Sequence, residues 1–261
     1  MARKPFFKKH RRLGLSLSGG AARGLAHIGV IKVLQEEEIP VSFISGTSVG
    51  SLIGAMFAAG LNWREMEEIV RSVTWKDIAQ LTIPKLGIAK HERLAKLLDE
   101  ILAGKTFEQL AVPFAAIAVD ICTGEEIILN SGPVAKAVQA SSSVPGIFEP
   151  TIIDGRYLVD GGLVNNLPVN IVKEMGATHV IAVDLNLNIY SLEPPKNILD
   201  ILYRSYQIIL AIRKRERKNA DFFVAPNLED YNYHDIKQLD DLMICGENAM
   251  RVHVKKLKKL F

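Results

Sequence analysis

Two strand-to-helix junctions built from glycine and other small residues constrain this 261-residue chain more than any other feature. One is Gly46-Thr47-Ser48-Val49-Gly50-Ser51, set between the apolar run Val41-Ser42-Phe43-Ile44 and the small-residue helix segment Leu52 to Ala59. A G-x-S-x-G between strand and helix is a turn so tight that its flanking residues must be small. The serine is then held in strained backbone with Oγ exposed. About thirty residues earlier, Leu17-Ser18-Gly19-Gly20-Ala21-Ala22-Arg23-Gly24 forms a second junction of the same kind. Backbone N–H groups at a helix N-terminus favour negative charge, so one junction presents a nucleophile and the other a set of donors.

The pattern around them alternates strand and helix. Leu13 to Leu17 reads as a strand, Leu25 to Glu38 as a helix, Val41 to Ile44 as a strand and the segment after Ser48 as a helix. Consecutive β–loop–α units imply a parallel sheet with sites at the carboxyl ends of its strands. Helical stretches follow at Trp63 to Thr74 and His91 to Ala103, with an irregular apolar segment between them at 76–90 that reads as a lid or a packed loop. Strands are expected at Phe114 to Val119, Glu126 to Leu129, Tyr157 to Val159, His179 to Val183 and Phe222 to Val224. Helices are expected at Val134 to Ala140, Val169 to Met175 and Ile198 to Lys218, with a final amphipathic helix. No composition break divides the chain, so residues 13–261 read as one domain preceded by a basic tail at 1–12.

Bulk composition, 48% hydrophobic and 23% charged, is that of an ordinary globular protein. Cys122 and Cys245 are too few and too far apart for a disulfide framework or a cysteine zinc site, which favours a reducing compartment. No stretch approaches the ~20 apolar residues that span a bilayer, and the basic start carries no uninterrupted apolar run of a leader. The net charge of +3 is mild, but basic residues crowd the first twelve positions and the segment Arg251 to Phe261. Solvated tails explain this charge; attraction to anionic lipid headgroups is the functional reading, and nucleic acid is not expected as a partner.

Acyl transfer through Ser48 needs a base for its hydroxyl proton and donors for the developing oxyanion. The Gly19-Gly20-Ala21 turn offers the donors, and Arg23 adds a nearby cation to hold the loop or a substrate's polar end. His179, His234 and His253 lie downstream of Asp160, so a Ser…Asp…His order is formally available, but none has a convincing setting. His27, on the first helix, reads as a packing residue. Asp160 is the better base: it follows a strand, precedes Gly161 and Gly162, and becomes basic enough if burial lifts its pKa. Asp120 reads as a structural carboxylate, and Ser141, Ser142 and Ser143 as residues that shape and cap a loop. Neither a metal nor a cofactor is called for.

Taken in order and spacing, Gly19-Gly20-Ala21-Ala22-Arg23-Gly24, Gly46-Thr47-Ser48-Val49-Gly50 and Asp160-Gly161-Gly162 resemble the patatin-like phospholipase family in its compact bacterial form. The segments Ala140 to Pro150 and Val119 to Glu125 are similar to that family as well, and the likeness spans roughly residues 13 to 185. The resemblance implies a three-layer α/β/α sandwich with a mainly parallel central sheet. It implies a Ser48–Asp160 dyad without histidine, an oxyanion hole at Gly19, Gly20 and Ala21, and hydrolysis of lipid acyl esters. Gly46, Gly50, Gly161 and Gly162 take supporting positions. Ala21 stands where the family usually has glycine, which narrows the approach to the donors. A cytoplasmic or membrane-peripheral setting follows. The rival functions on the same residues are a short-chain esterase or thioesterase, an acyltransferase, and a non-catalytic lipid-binding regulator.

Overall fold

Apolar strands of three to seven residues, most of them separated by helices, close into a layered sheet in the computed structural model. It describes residues 11–73, 77, 80–81, 86–187, 194–212, 219–231 and 238–260. The strands are β1 (Leu13–Leu17), β2 (Phe43–Thr47), β3 (Gln80–Leu81), β4 (Ala89–Lys90), β5 (Phe114–Asp120), β6 (Glu126–Leu129), β7 (Thr151–Ile153), β8 (Arg156–Asp160), β9 (His179–Val183) and β10 (Phe222–Val224). The helices are α1 (Ala26–Glu36), α2 (Val49–Ala58), α3 (Trp63–Ser72), α4 (Glu92–Ile101), α5 (Val134–Ser141), α6 (Val169–Glu174), α7 (Ile198–Ile212) and α8 (Leu239–Leu257).

Eight strands form the main sheet in the order β10-β9-β1-β2-β5-β8-β7, with β6 pairing β5. Pairing is parallel from β10 through β5 and antiparallel among β5, β6, β8 and β7, so the sheet is mixed. The expected parallel core is present; its antiparallel margin and the short strand β7 were not anticipated. Strands β1 and β5 are buried along their whole length, because helices cover both faces of the sheet. On one face α1, α2, α5 and α8 build the large core around Leu13, Leu15, Leu17, Ile44 and Ile181. On the other, α6 packs Val169 and Val172 on Val180 and Ala182. Helices α1 and α8 touch backbone to backbone: a Cβ added at Gly29 would lie 2.0 Å from the Met243 carbonyl oxygen.

Chain order reverses at β1, which has β2 on one side and the late strand β9 on the other. The carboxyl end of β1 is therefore a topological switch point, the usual place for a binding crevice in an open α/β sheet. Register carries the remaining pieces to the same level. Thr47 pairs with Ile117, and the next residue of β5, Ala118, pairs with Asp160 at the end of β8. Ser48 and Asp160 thus come level with one another along one edge of β5, the edge opposite β6.

Candidate active site

The turn between β2 and α2 is shaped by close approach. A Cβ at Gly46 would sit 2.3 Å from the Gly50 carbonyl oxygen, and one at Gly50 would sit 2.3 Å from that of Leu17. Only hydrogen fits at either position, which accounts for both glycines of the G-x-S-x-G. Ser48 between them has φ 54° and ψ −127°, a conformation that costs a non-glycine residue roughly 1–3 kcal/mol. It stands at the N-cap of α2, yet its side chain makes no capping bond. A serine at this position ordinarily spends its oxygen on a helix N–H; here the hydroxyl is left for other work. The Ser48 backbone N–H donates to Ser141 Oγ at 3.0 Å, and Thr47 Oγ1 donates to the Asn165 carbonyl at 2.8 Å.

The second junction runs from β1 through a 3-10 turn, Ala21–Leu25, into α1. Gly19 packs directly against Ser48: a Cβ there would meet Ser48 Cβ at 3.2 Å and Asn166 Oδ1 at 2.6 Å. Its own N–H donates to the Asn166 carbonyl at 3.3 Å. Among the three expected donors, the amides of Gly20 and Ala21, at the start of the turn, are the ones a helix start leaves open. Ala21 has φ 51°, in the left-handed region that favours glycine. Asn186 Nδ2 donates to the Gly19 carbonyl at 2.8 Å, holding the loop from the β9 side. Arg23 is buried and donates through Nε to the Tyr231 carbonyl at 3.0 Å, so it supports the loop.

Asp160 has no solvent exposure. Its Oδ1 accepts from the Gly162 N–H at 2.9 Å and from the Tyr206 hydroxyl at 2.8 Å, while Oδ2 has no hydrogen-bond partner. Burial pushes its pKa from 3.8 up to about 6, against the opposing effects of the Ser48 hydroxyl, the Gly162 amide and Tyr206. The serine hydroxyl is thus near enough to favour the carboxylate without a close hydrogen bond, a separation common before substrate binds. Burial and the neighbouring carboxylate hold the Tyr206 phenol well above its ordinary value, so it stays protonated and donates. Gly161 leaves room for the Ile117 carbonyl, and Gly162 leaves room for the Tyr206 hydroxyl. The Asp160 N–H donates to the Ser143 carbonyl at 2.9 Å. The serine loop at 141–143 therefore ties down the backbone of both Ser48 and Asp160.

Tyr206, Asn165 and Asn166 were not anticipated as site residues. The Asn-Asn pair five residues after Asp160 was a legible signal, since its two carbonyls stitch the Asp-Gly-Gly loop to both junctions. Tyr206 carries no local signal; a helix that crosses over the Asp-Gly-Gly turn delivers it.

The remaining candidates fall outside this constellation. His27 is fully buried, donates from Nε2 to the Ser18 carbonyl at 2.8 Å, and burial lowers its pKa to about 4. His179 lies beside Thr178, His253 meets the edge of Phe222, and His234 is outside the described residues. Asp120 accepts from the Cys122 N–H at 2.9 Å within its own turn, as a structural carboxylate does. Of the segment 76–90, residues 76, 78–79 and 82–85 are outside the described residues. Leu86 is exposed, whereas the Ile88 and Ala89 N–H groups donate to the Ile147 carbonyl, and just beyond the segment His91 stacks on Phe148 with ring centres 3.8 Å apart. The basic N-terminal tail also lies outside the described residues up to residue 10. In the C-terminal segment Arg251 pairs with Glu36 and Lys258 with Glu37, tying α8 to the end of α1. No helix among the described residues is long and apolar enough to cross a membrane.

Residues 15–173 match the family model of the patatin-like phospholipases. An uncharacterized NTE family protein of Mycobacterium tuberculosis is 37% identical over 178 residues, covering 67% of this chain and 49% of its own length. A second from that species is 30% identical over 268 residues, covering 92% of this chain and 46% of its own. The neuropathy target esterase sws of Drosophila melanogaster is 33% identical over 181 residues, 66% of this chain and 13% of its own. The chain thus spans about half the length, or far less, of these relatives. Among solved structures, VipD of Legionella pneumophila superposes with TM-score 0.54 at 13% identity, over 95% of this chain and 67% of that one. The type III effector protein ExoU superposes with TM-score 0.55 at 12% identity, over 95% and 53%. At such identities these two share the fold alone.

Proposed function

The chain belongs to the patatin-like phospholipase family, and from that premise we propose that it is a serine acyl-ester hydrolase acting on lipid through Ser48 and Asp160. The observation that carries the reading is a fully buried carboxylate, pKa about 6, beside a strained serine whose hydroxyl is not spent on its own helix. A base whose pKa lies just below working pH is ionised and still takes a proton readily.

In this reading Ser48 Oγ attacks the ester carbonyl carbon while its proton passes to Asp160. The carbonyl oxygen gains the negative charge and accepts from the Gly20 and Ala21 N–H groups. Collapse breaks the ester C–O bond, the leaving alcohol takes the proton from Asp160, and the acyl group stays on Ser48. Asp160 then deprotonates a water, which attacks the acyl-serine, and the returning proton restores the serine hydroxyl as the fatty acid departs. Tyr206 and Gly162 act on Oδ1 alone and hold the carboxylate in place.

The test is fatty-acid release from mixed phospholipid micelles and from soluble p-nitrophenyl esters, with Ser48→Ala as control. Release that vanishes in Ser48→Ala supports the reading. Release that survives it, or failure of a serine-directed phosphonate to label the chain, overturns it.

A further inference from the structure

Helix α7 is apolar on two opposite sides. Its inner side holds the buried Tyr203, Gln207 and Leu210 and carries Tyr206 to Asp160. Its outer side is largely exposed, with Leu202 lying near Gly146. At ~100° per residue, Ile198, Ile201, Leu202, Ile208 and Ile209 fall within an arc of roughly 120°, interrupted only by Ser205. These five side chains are 39% to 71% exposed and make up much of the large apolar surface left open on the described residues. A continuous stripe of this kind on a soluble surface marks an interaction site.

Size and charge choose the occupant. A 15-residue helix presents a footprint of about 22 Å by 10 Å, roughly 220 Å², against the ~800 Å² per partner of a stable protein interface. A second copy held by this stripe alone is therefore disfavoured. The sequence directly after Ile212 is Arg213-Lys214-Arg215-Glu216-Arg217-Lys218, five cations and one anion in six residues. In sequence, an apolar helical stripe followed by a run of cations matches the charge of an anionic lipid surface, where the stripe's side chains enter the headgroup–acyl boundary.

We infer that the outer face of α7 is the lipid-docking surface, lying in the plane of the bilayer and bringing the Ser48–Asp160 site to its substrate. The inference rests on the lipid-hydrolase reading above and goes beyond it. It assigns membrane contact to a named helix face in place of the basic termini, whose Arg251 and Lys258 are engaged in ion pairs.

The test is co-sedimentation of the full chain with vesicles of equal parts phosphatidylcholine and phosphatidylglycerol. The wild type is compared with the double variant Ile201→Glu/Ile208→Glu. Wild-type binding that weakens about tenfold or more in the variant, with melting temperature and soluble-ester turnover unchanged, is the expected result. Equal binding by both chains, or no binding by wild type, overturns the inference. So does a wild-type dimer by light scattering that the variant turns into monomer. Vesicle binding is read without turnover. Binding by a chain that hydrolyses nothing would sink the hydrolase reading alone, and soluble-ester hydrolysis without binding would sink the docking face alone.

Discussion

Replacing Asp160 by asparagine separates what the carboxylate does in the reaction from what it costs the fold. Asparagine keeps an oxygen to accept from the Gly162 amide and the Tyr206 hydroxyl but never ionises. The wild-type carboxyl titrates near 6 when folded and near 3.8 when unfolded, because the folded chain buries it without exposure. A folded pKa above the unfolded one stabilises the protein fully below pH ~4, and that contribution is lost as pH rises through about 6. The difference, about 2 units at 1.36 kcal/mol each, gives an upper bound of about 3 kcal/mol. Asparagine has no such dependence, so its stability relative to wild type should climb by up to about 3 kcal/mol between pH ~4 and ~7, then level off. At roughly 2–4 °C per kcal/mol this is a rise of about 6–12 °C at most. Urea melts of both chains across that range give the difference directly, because every other titrating group cancels. Activity should move the opposite way, falling roughly 10²- to 10⁴-fold for loss of a general base. Parallel stability curves would refute the buried, lifted carboxylate, and an active asparagine variant would refute its role as base.

Three further outcomes test the surroundings. Tyr206→Phe removes a donor that favours the charged carboxylate, so the acidic limb of the rate–pH profile on a soluble ester should move up from about 6; an unmoved limb would discard the contact. Ser48→Gly should raise the urea midpoint by the equivalent of about 1 kcal/mol through relief of a positive φ, whereas Ser48→Ala should leave it near wild type. His91, stacked on Phe148, is held neutral by burial with a pKa lowered to about 3. The unfolded chain gains its proton first, so stability drains as pH falls from 6.5 toward 3. His91→Phe should flatten that acid limb in thermal melts.

What could be read from the chain before folding follows from how local each constraint is. The G-x-S-x-G was legible because Gly46 and Gly50 are required by contacts with the turn itself and with the strand beside it. Their spacing records the bend. The β7–β8 hairpin was also written locally, as Asp154-Gly155 between Thr151-Ile152-Ile153 and Tyr157-Leu158-Val159, with both turn residues at positive φ. Three-residue strands inside a loop are nevertheless weak signals, and the antiparallel margin went unanticipated for that reason. The Gly19 amide was expected as a donor, but its partner is the Asn166 carbonyl, nearly 150 positions away. Tyr206 is of the same kind: nothing in Ile198 to Ile212 announces that one face of the helix closes over a carboxylate.

The arrangement around Asp160 also explains why the number of donors on a buried base matters. Burial alone raises a carboxyl and each hydrogen bond to the charged form lowers it again. Here two bonds fall on Oδ1 and none on Oδ2. With the nearby Ser48 hydroxyl also favouring the charged form, the outcome is a value of about 6, neither the ordinary 3.8 of a spectator nor the fully lifted value of a carboxyl that stays protonated at neutral pH. A third donor aimed at Oδ2 would hold the charge more tightly and occupy the oxygen that the Ser48 proton must reach. The unpartnered atom, ordinarily a fault in a protein interior, is in the proposed reaction the atom through which the proton moves. Ser141 and Ser143 keep it in place by bonding the backbones of the serine and the aspartate, leaving both side chains unencumbered.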